Sequence, residues 1–124
     1  MQNILHAGFV SVDEIDGALV VGFADQQYDT KAYFMLQRGL EQHDDEGVYL
    51  EHTDQAHGAY GEVMVCLLSG NRIELSVDEV TAKELEVEAT FAVEFLCDEP
   101  SLNRLELGLK RVFRGTDCRF EKVG

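Results

Sequence analysis

Residues 84–95 read ELEVEATFAVEF, and their parity decides the fold class. Leu85, Val87, Ala89, Phe91, Val93 and Phe95 fall on one side of an extended chain, and Glu84, Glu86, Glu88, Thr90 and Glu94 fall on the other. This is the longest period-two run in the sequence, and it predicts one half-buried strand over its whole length. At Asp98 the period changes. Asp98 and Ser101 are capping residues, Glu99 suits the positive end of a helix dipole, and Pro100 is tolerated in a first turn. Leu102, Leu105, Leu109, Val112 and Phe113 then recur at three- and four-residue steps, so one amphipathic helix is expected, stopping near Gly115. Lys110, Arg111 and Arg114 sit in its last turns, where the dipole favours cations.

Working outward, the same period of two dominates. Ala18 to Ala24 places Leu19, Val21 and Phe23 on one side, Gly8 to Val12 is also extended, and Asp13 to Gly17 supplies the turn of an N-terminal hairpin. Ala32 to Leu40 fits two templates. Tyr33, Leu36 and Leu40 make a helical stripe behind an Asp29-Thr30 cap, whereas Phe34, Leu36 and Leu40 make one strand face, and the strand is the preferred reading. Val48 and Leu50 alternate with Tyr49 and Glu51 in a half-exposed strand, while Val63 to Leu68 is apolar on both faces and reads as central. Gly70-Asn71 turns that strand back into Ile73, Leu75 and Val77. The expected architecture is α+β, a mostly antiparallel sheet of six or seven strands with the C-terminal helix packed on its apolar face. No repeat, low-complexity tract or linker divides residues 1–124, so a single domain is expected.

Composition narrows the function. The 124 residues carry 24 acids against 10 bases, a net charge of −14, yet 45% are hydrophobic and one is proline, which describes a globule rather than an acidic tail. So anionic a surface is repelled by phosphate backbones and anionic lipids, so neither nucleic acid nor membrane is an expected partner. No apolar run reaches the roughly 20 residues of a membrane span, and Met1 to His6 lacks the character of a secretory signal, so a cytoplasmic location is expected. Cys66, Cys97 and Cys118 are odd in number and widely spaced, which reads as free thiols.

The charge is uneven. Between Arg38 and Arg72 there is no lysine or arginine, while Glu41, Asp44, Asp45, Glu46, Glu51, Asp54 and Glu62 all lie in that interval. A solvated face is one reading of this run; the other is a docking surface for a basic partner, which such a field would steer. Tyr49 and Tyr60 lie in the same interval, and tyrosine among carboxylates makes a protein-binding patch. The candidate partner-binding set is therefore Glu41, Asp44, Asp45, Glu46, Tyr49, Glu51, Asp54 and Tyr60.

Signs of catalysis are weak. Gly58-Ala59-Tyr60-Gly61 runs into a strand with no lysine nearby, unlike a phosphate-binding loop, and no Gly-x-Ser-x-Gly elbow occurs. His43, His52 and His57 lie among the acids and have the donor chemistry for zinc or manganese, but their spacing matches no metal motif, and solvated loop histidines are the alternative. No catalytic residue, cofactor or metal is assigned.

One resemblance joins these pieces. Val21-Gly22-Phe23-Ala24-Asp25 is followed by Tyr33-Phe34-Met35-Leu36-Gln37-Arg38, an acidic stretch, Tyr49-Leu50-Glu51, Asp54-Gln55 and Gly58-Ala59-Tyr60-Gly61. With Leu67-Leu68, Arg72-Ile73-Glu74-Leu75 and a final helix ending Val112-Phe113, their order resembles immunity protein family ten of bacterial polymorphic toxin systems. The resemblance implies a small, non-catalytic cytoplasmic antitoxin that binds and neutralises a cognate secreted toxin. A nuclease toxin, with its basic cleft, would suit the acidic surface. The resemblance carries no binding residues over. Two alternatives stand beside it: a small acidic secretion chaperone that binds an exported effector, and a metal-dependent enzyme built on the histidines. A homodimer is compatible with any of the three.

Overall fold

A computed structural model describes residues 1–40 and 47–123. The chain runs β1 (Gln2–Ala7), β2 (Phe9–Ile15), β3 (Ala18–Ala24), β4 (Tyr33–Gly39), β5 (Val48–His52), β6 (Asp54–Gly61), β7 (Val63–Leu68), β8 (Arg72–Val77), α1 (Glu79–Leu85), β9 (Thr90–Phe95), α2 (Glu99–Val112) and β10 (Arg119–Lys122). The N-terminal hairpin forms as expected, with a tighter turn. Asp16 (φ 51°) and Gly17 (φ 78°) are the two left-handed residues of a two-residue connection, and the strands pair down to Ile15 and Ala18. Within residues 32–40, Tyr33–Gly39 form a strand rather than a helix, and Val63–Leu68 and Arg72–Val77 form a further hairpin.

The α+β class holds, but the single sheet of six or seven strands does not. The described residues form two five-stranded sheets, with orders β2-β3-β4-β5-β6 and β1-β9-β8-β7-β10. The first is an antiparallel meander, while the second gains β1 beside β9 and β10 beside β7 in parallel. Those added edge strands bury few side chains, and β10 has four residues, so neither leaves a strong alternation in the sequence. The long 84–95 strand is also corrected. Asp78 Oδ1 accepts from Thr81 N at 3.0 Å, and Thr81, Ala82 and Leu85 bury one helical face, so α1 takes the first part of the run. Glu86 (φ 55°) closes the helix in the left-handed region, and the strand starts only at Thr90.

α2 follows its signals closely: Asp98 Oδ1 accepts from Ser101 N at 2.9 Å, and Leu105, Leu109 and Val112 are buried. Its C-terminal end meets Arg38 on β4, whose Nη1 donates to Val112 O at 2.7 Å and Arg114 O at 3.0 Å. A guanidinium there satisfies orphan carbonyls at the negative pole of the helix.

Three elements close the inner face of the meander. Sheet meets sheet through Phe34 and Phe91, edge to face at 5.4 Å between ring centres, and through Phe23 and Phe95 at 5.8 Å. α2 lies over Val12 and Val21, against Gly108, where an added Cβ would come within 2.8 Å of Val12 Cγ1. α1 reaches the β5–β6 side, where Thr81 packs on Gly61 and His52 Nδ1 donates to Leu85 O at 3.1 Å. Alanine normally strengthens a helix over glycine by about 1 kcal/mol, but overpacking a stiff β-branched neighbour costs roughly 1–3 kcal/mol. Gly108→Ala is therefore expected to lower stability by about 1 kcal/mol in urea unfolding, where an unpacked helix glycine would show a gain.

Candidate functional site

Alternation along the meander sends Leu19, Val21, Phe23, Phe34, Leu36 and Leu50 inward, so the residues between them form its outer face. Both helices lie on the inner side. Pairing sets Gly22 against Met35, Met35 against Glu51 and Glu51 against Gly58; one step along it sets Gln37 against Tyr49 and Tyr49 against Tyr60. The outer face of the other sheet is different in kind. There Asn3 donates to Glu94 at 2.9 Å, Arg72 pairs with Glu74 at 3.4 Å, and Arg119 pairs with Glu121 at 2.9 Å, an ordinary solvated surface.

On the meander's outer face, on β5, stands Glu51, only 6% exposed although among the described residues no helix or second sheet covers it. Two tyrosines do. Tyr49 Oη donates to Glu51 Oε1 at 2.7 Å and Tyr33 Oη donates to Oε2, so each carboxylate oxygen holds one phenol. Tyr49 can lie flat because its neighbour is Gly58, where any Cβ would collide with the phenol oxygen. Tyr60 meets the Tyr49 ring at 5.3 Å between centres, with the planes 61° apart, and is itself 57% exposed. No lysine, arginine or histidine pairs with Glu51 among the described residues. A carboxylate taken from water without a cation costs stability unless its oxygens are hydrogen-bonded, and here the compensation comes from the two phenols that it fixes in place. The result is a rigid aromatic surface with low ordering cost, suited to binding.

Burial is the larger reason that the Tyr49 phenol is pushed up to about 12, with the hydrogen bond to Glu51 next; the Tyr33 phenol rises for the same two reasons. Both remain protonated donors at neutral pH.

Of the residues singled out from sequence, Tyr49, Glu51 and Tyr60 come together here. Asp54 lies at the rim; its Oδ1 accepts from Ala56 N at 2.9 Å, and its charge contributes to the rise at Tyr33. Glu41, His43, Asp44, Asp45 and Glu46 lie outside the described residues. His52 and His57 do not gather into a shared site: His52 meets the Leu85 carbonyl and His57 Nε2 lies 2.7 Å from Glu86 Oε2. Among the described residues no three metal-ligating side chains converge. Tyr33 is the site residue that sequence reading missed, because its place beside Glu51 depends on the β4–β5 register. The parity of Tyr33, Met35 and Gln37 against Phe34 and Leu36 is the signal that could have found it.

The thiols are reactive-poor. Burial pushes the Cys66 thiol up strongly, Cys118 up to about 11, and Cys97 up with help from Asp98.

Folding raises the Tyr49 phenol from about 10 to about 12, so the folded protein keeps protons that the unfolded chain releases. That stabilisation is full below about pH 10 and is lost as the pH rises toward 12. The urea midpoint is expected to fall across this window, and to fall less in Tyr49→Phe. Glu51→Gln removes the charge that opposes ionisation, so tyrosinate absorbance is expected to appear at lower pH, with burial holding part of the shift in place.

Comparison with known proteins supports the resemblance seen in the sequence. A search of curated proteins finds no match. The profile of the family described as Immunity protein 10 matches residues 5–103, from β1 through the meander and the β7–β8 hairpin into α2. With most of its length in that match, the chain belongs to the Immunity protein 10 family.

Proposed function

We propose that this protein neutralises a cognate secreted toxin by tight stoichiometric binding, and that the toxin docks on the outer face of the meander. The observation that carries the reading is the contrast between the two outer faces. One is laced with ion pairs; the other sets Tyr33 and Tyr49 on a buried carboxylate that meets no cation among the described residues, with Tyr60 packed on Tyr49 and Met35 beside them. Tyrosines fixed in advance supply contact area with little entropy left to lose, the usual character of binding hot spots. Family membership supports the immunity role itself.

The acidic run supplies the long-range part. Glu41, Asp44, Asp45 and Glu46 precede β5 in sequence, and Asp54 sits at the rim of the tyrosine face. A net charge of −14 steers basic partners. The phosphate-binding cleft of a nuclease is such a partner, and an acidic inhibitor there would compete with its substrate. Binding needs no cofactor and no catalysis by this chain.

The test is survival of cells that express the toxin domain encoded beside this gene, with and without this protein, together with binding rates for the purified pair. Tyr49→Ala and Tyr60→Ala are each expected to weaken binding by roughly 30-fold or more, mainly through faster dissociation. Reversing Asp44, Asp45 and Asp54 to lysine is expected to slow association by about 10-fold at low salt, with the effect fading at high salt. Full protection and unchanged rates in both sets of variants would remove this face from the interface.

A further inference from the structure

A groove of about 620 Å³ opens at the end of the meander, between the β6–β7 connection, the first turn of α1 and the turn that follows α2. Its floor is firm: Val63, Thr81 and Phe113 are all buried. Gly61 allows the close approach, because any Cβ there would collide with the Thr81 side chain. Around the floor the rim is apolar and open to water, with Met64 48% exposed and Val80 71% exposed. Glu62, Asp78 and Asp117 also line it, and no lysine or arginine lines the groove among the described residues.

We infer that this groove receives a basic segment of the cognate toxin, with the stems of lysine or arginine side chains lying on Met64 and Val80 and their cationic heads reaching Glu62 and Asp117. The inference rests on the immunity reading and adds a second anchoring region to it. Three observations select this occupant. Long cationic side chains cover apolar surface while keeping their charge near water, and this groove offers both exposed apolar side chains and carboxylates as that habit requires. Tyr60 lines the groove and also packs on Tyr49, so the groove continues the tyrosine face, and an arginine entering it passes a tyrosine ring. A second copy of this chain would bring like charge, −14 against −14, to a rim with no lysine or arginine among the described residues.

The experiment uses the toxin domain that the wild-type protein neutralises, with binding rates measured for two independent groove variants. Glu62→Lys with Asp117→Lys reverses the charge, and Met64→Ser with Val80→Ser removes the apolar rim; all four residues are surface positions. Glu84→Lys with Glu88→Lys, both exposed and outside the groove, controls for net charge. The groove charge variant is expected to raise Kd at least 10-fold beyond the control, and the apolar variant to raise the dissociation rate about 10-fold, with circular dichroism and melting unchanged. Either groove variant binding within about twofold of the wild type overturns the inference, as does self-association of the wild type that a groove variant abolishes. A wild-type protein that neither binds nor protects against that toxin removes the immunity reading itself, which is a different failure.

Discussion

The edge-to-face contact of Phe34 with Phe91 holds the two sheets together, and the placing of everything else follows from it. With Phe23 and Phe95 it fixes which side of the meander is inside. One sheet cannot cover that whole side, so α2 closes it over β2 and β3 and α1 closes it beside β5 and β6. Arg38 ties the β4 end of the meander to the last carbonyls of α2, which sets the helix in register with the sheet. Among the described residues every cover lies on one side, and the opposite face of the meander carries Tyr33, Tyr49 and Glu51.

That open face would be an unremarkable solvated surface if it carried the ion pairs of the other sheet. It instead buries a carboxylate under two phenols, an arrangement with a desolvation cost and, among the described residues, no pairing cation. Packing in the core does not require it, since Leu36 and Leu50 face the other way. Its structural effect is to hold Tyr33 and Tyr49 in one orientation, with Gly58 clearing the space that Tyr49 occupies. Such preorganisation lowers the ordering cost of any binding at this face, which is what the proposed docking there uses.

Much of this was legible in the sequence, and the parts that were not share a cause. The hairpins, the capped helix α2 and the strand at residues 33–39 each follow from local alternation, turn chemistry or capping. The order of the pieces from Val21 through Leu75 to the final helix suggested the family. Leu85 was misread because a residue four after Thr81 in a helix is also in phase with Val87 in a strand; the Asp78 cap settles which period wins. β1 and β10 were missed because parallel edge strands are defined by distant partners rather than by their own pattern, and β6 because none of its residues is buried and its glycines leave no apolar alternation. In the site, Tyr49 and Glu51 were visible as outward neighbours on one strand and Tyr60 as their companion. The burial of Glu51 was not visible, because it depends on Tyr33, eighteen residues earlier in the chain, reaching across the β4–β5 pairing.

The most direct measurement is hydroxyl-radical footprinting of this protein alone and in complex with the toxin domain it neutralises. If the outer face of the meander is the docking surface, oxidation at Tyr33, Met35, Tyr49 and Tyr60 drops on binding, while exposed Leu96 and Leu107, on other surfaces, react as before. Protection of Leu96 or Leu107 with unchanged oxidation of the tyrosines would place the toxin elsewhere and contradict that assignment.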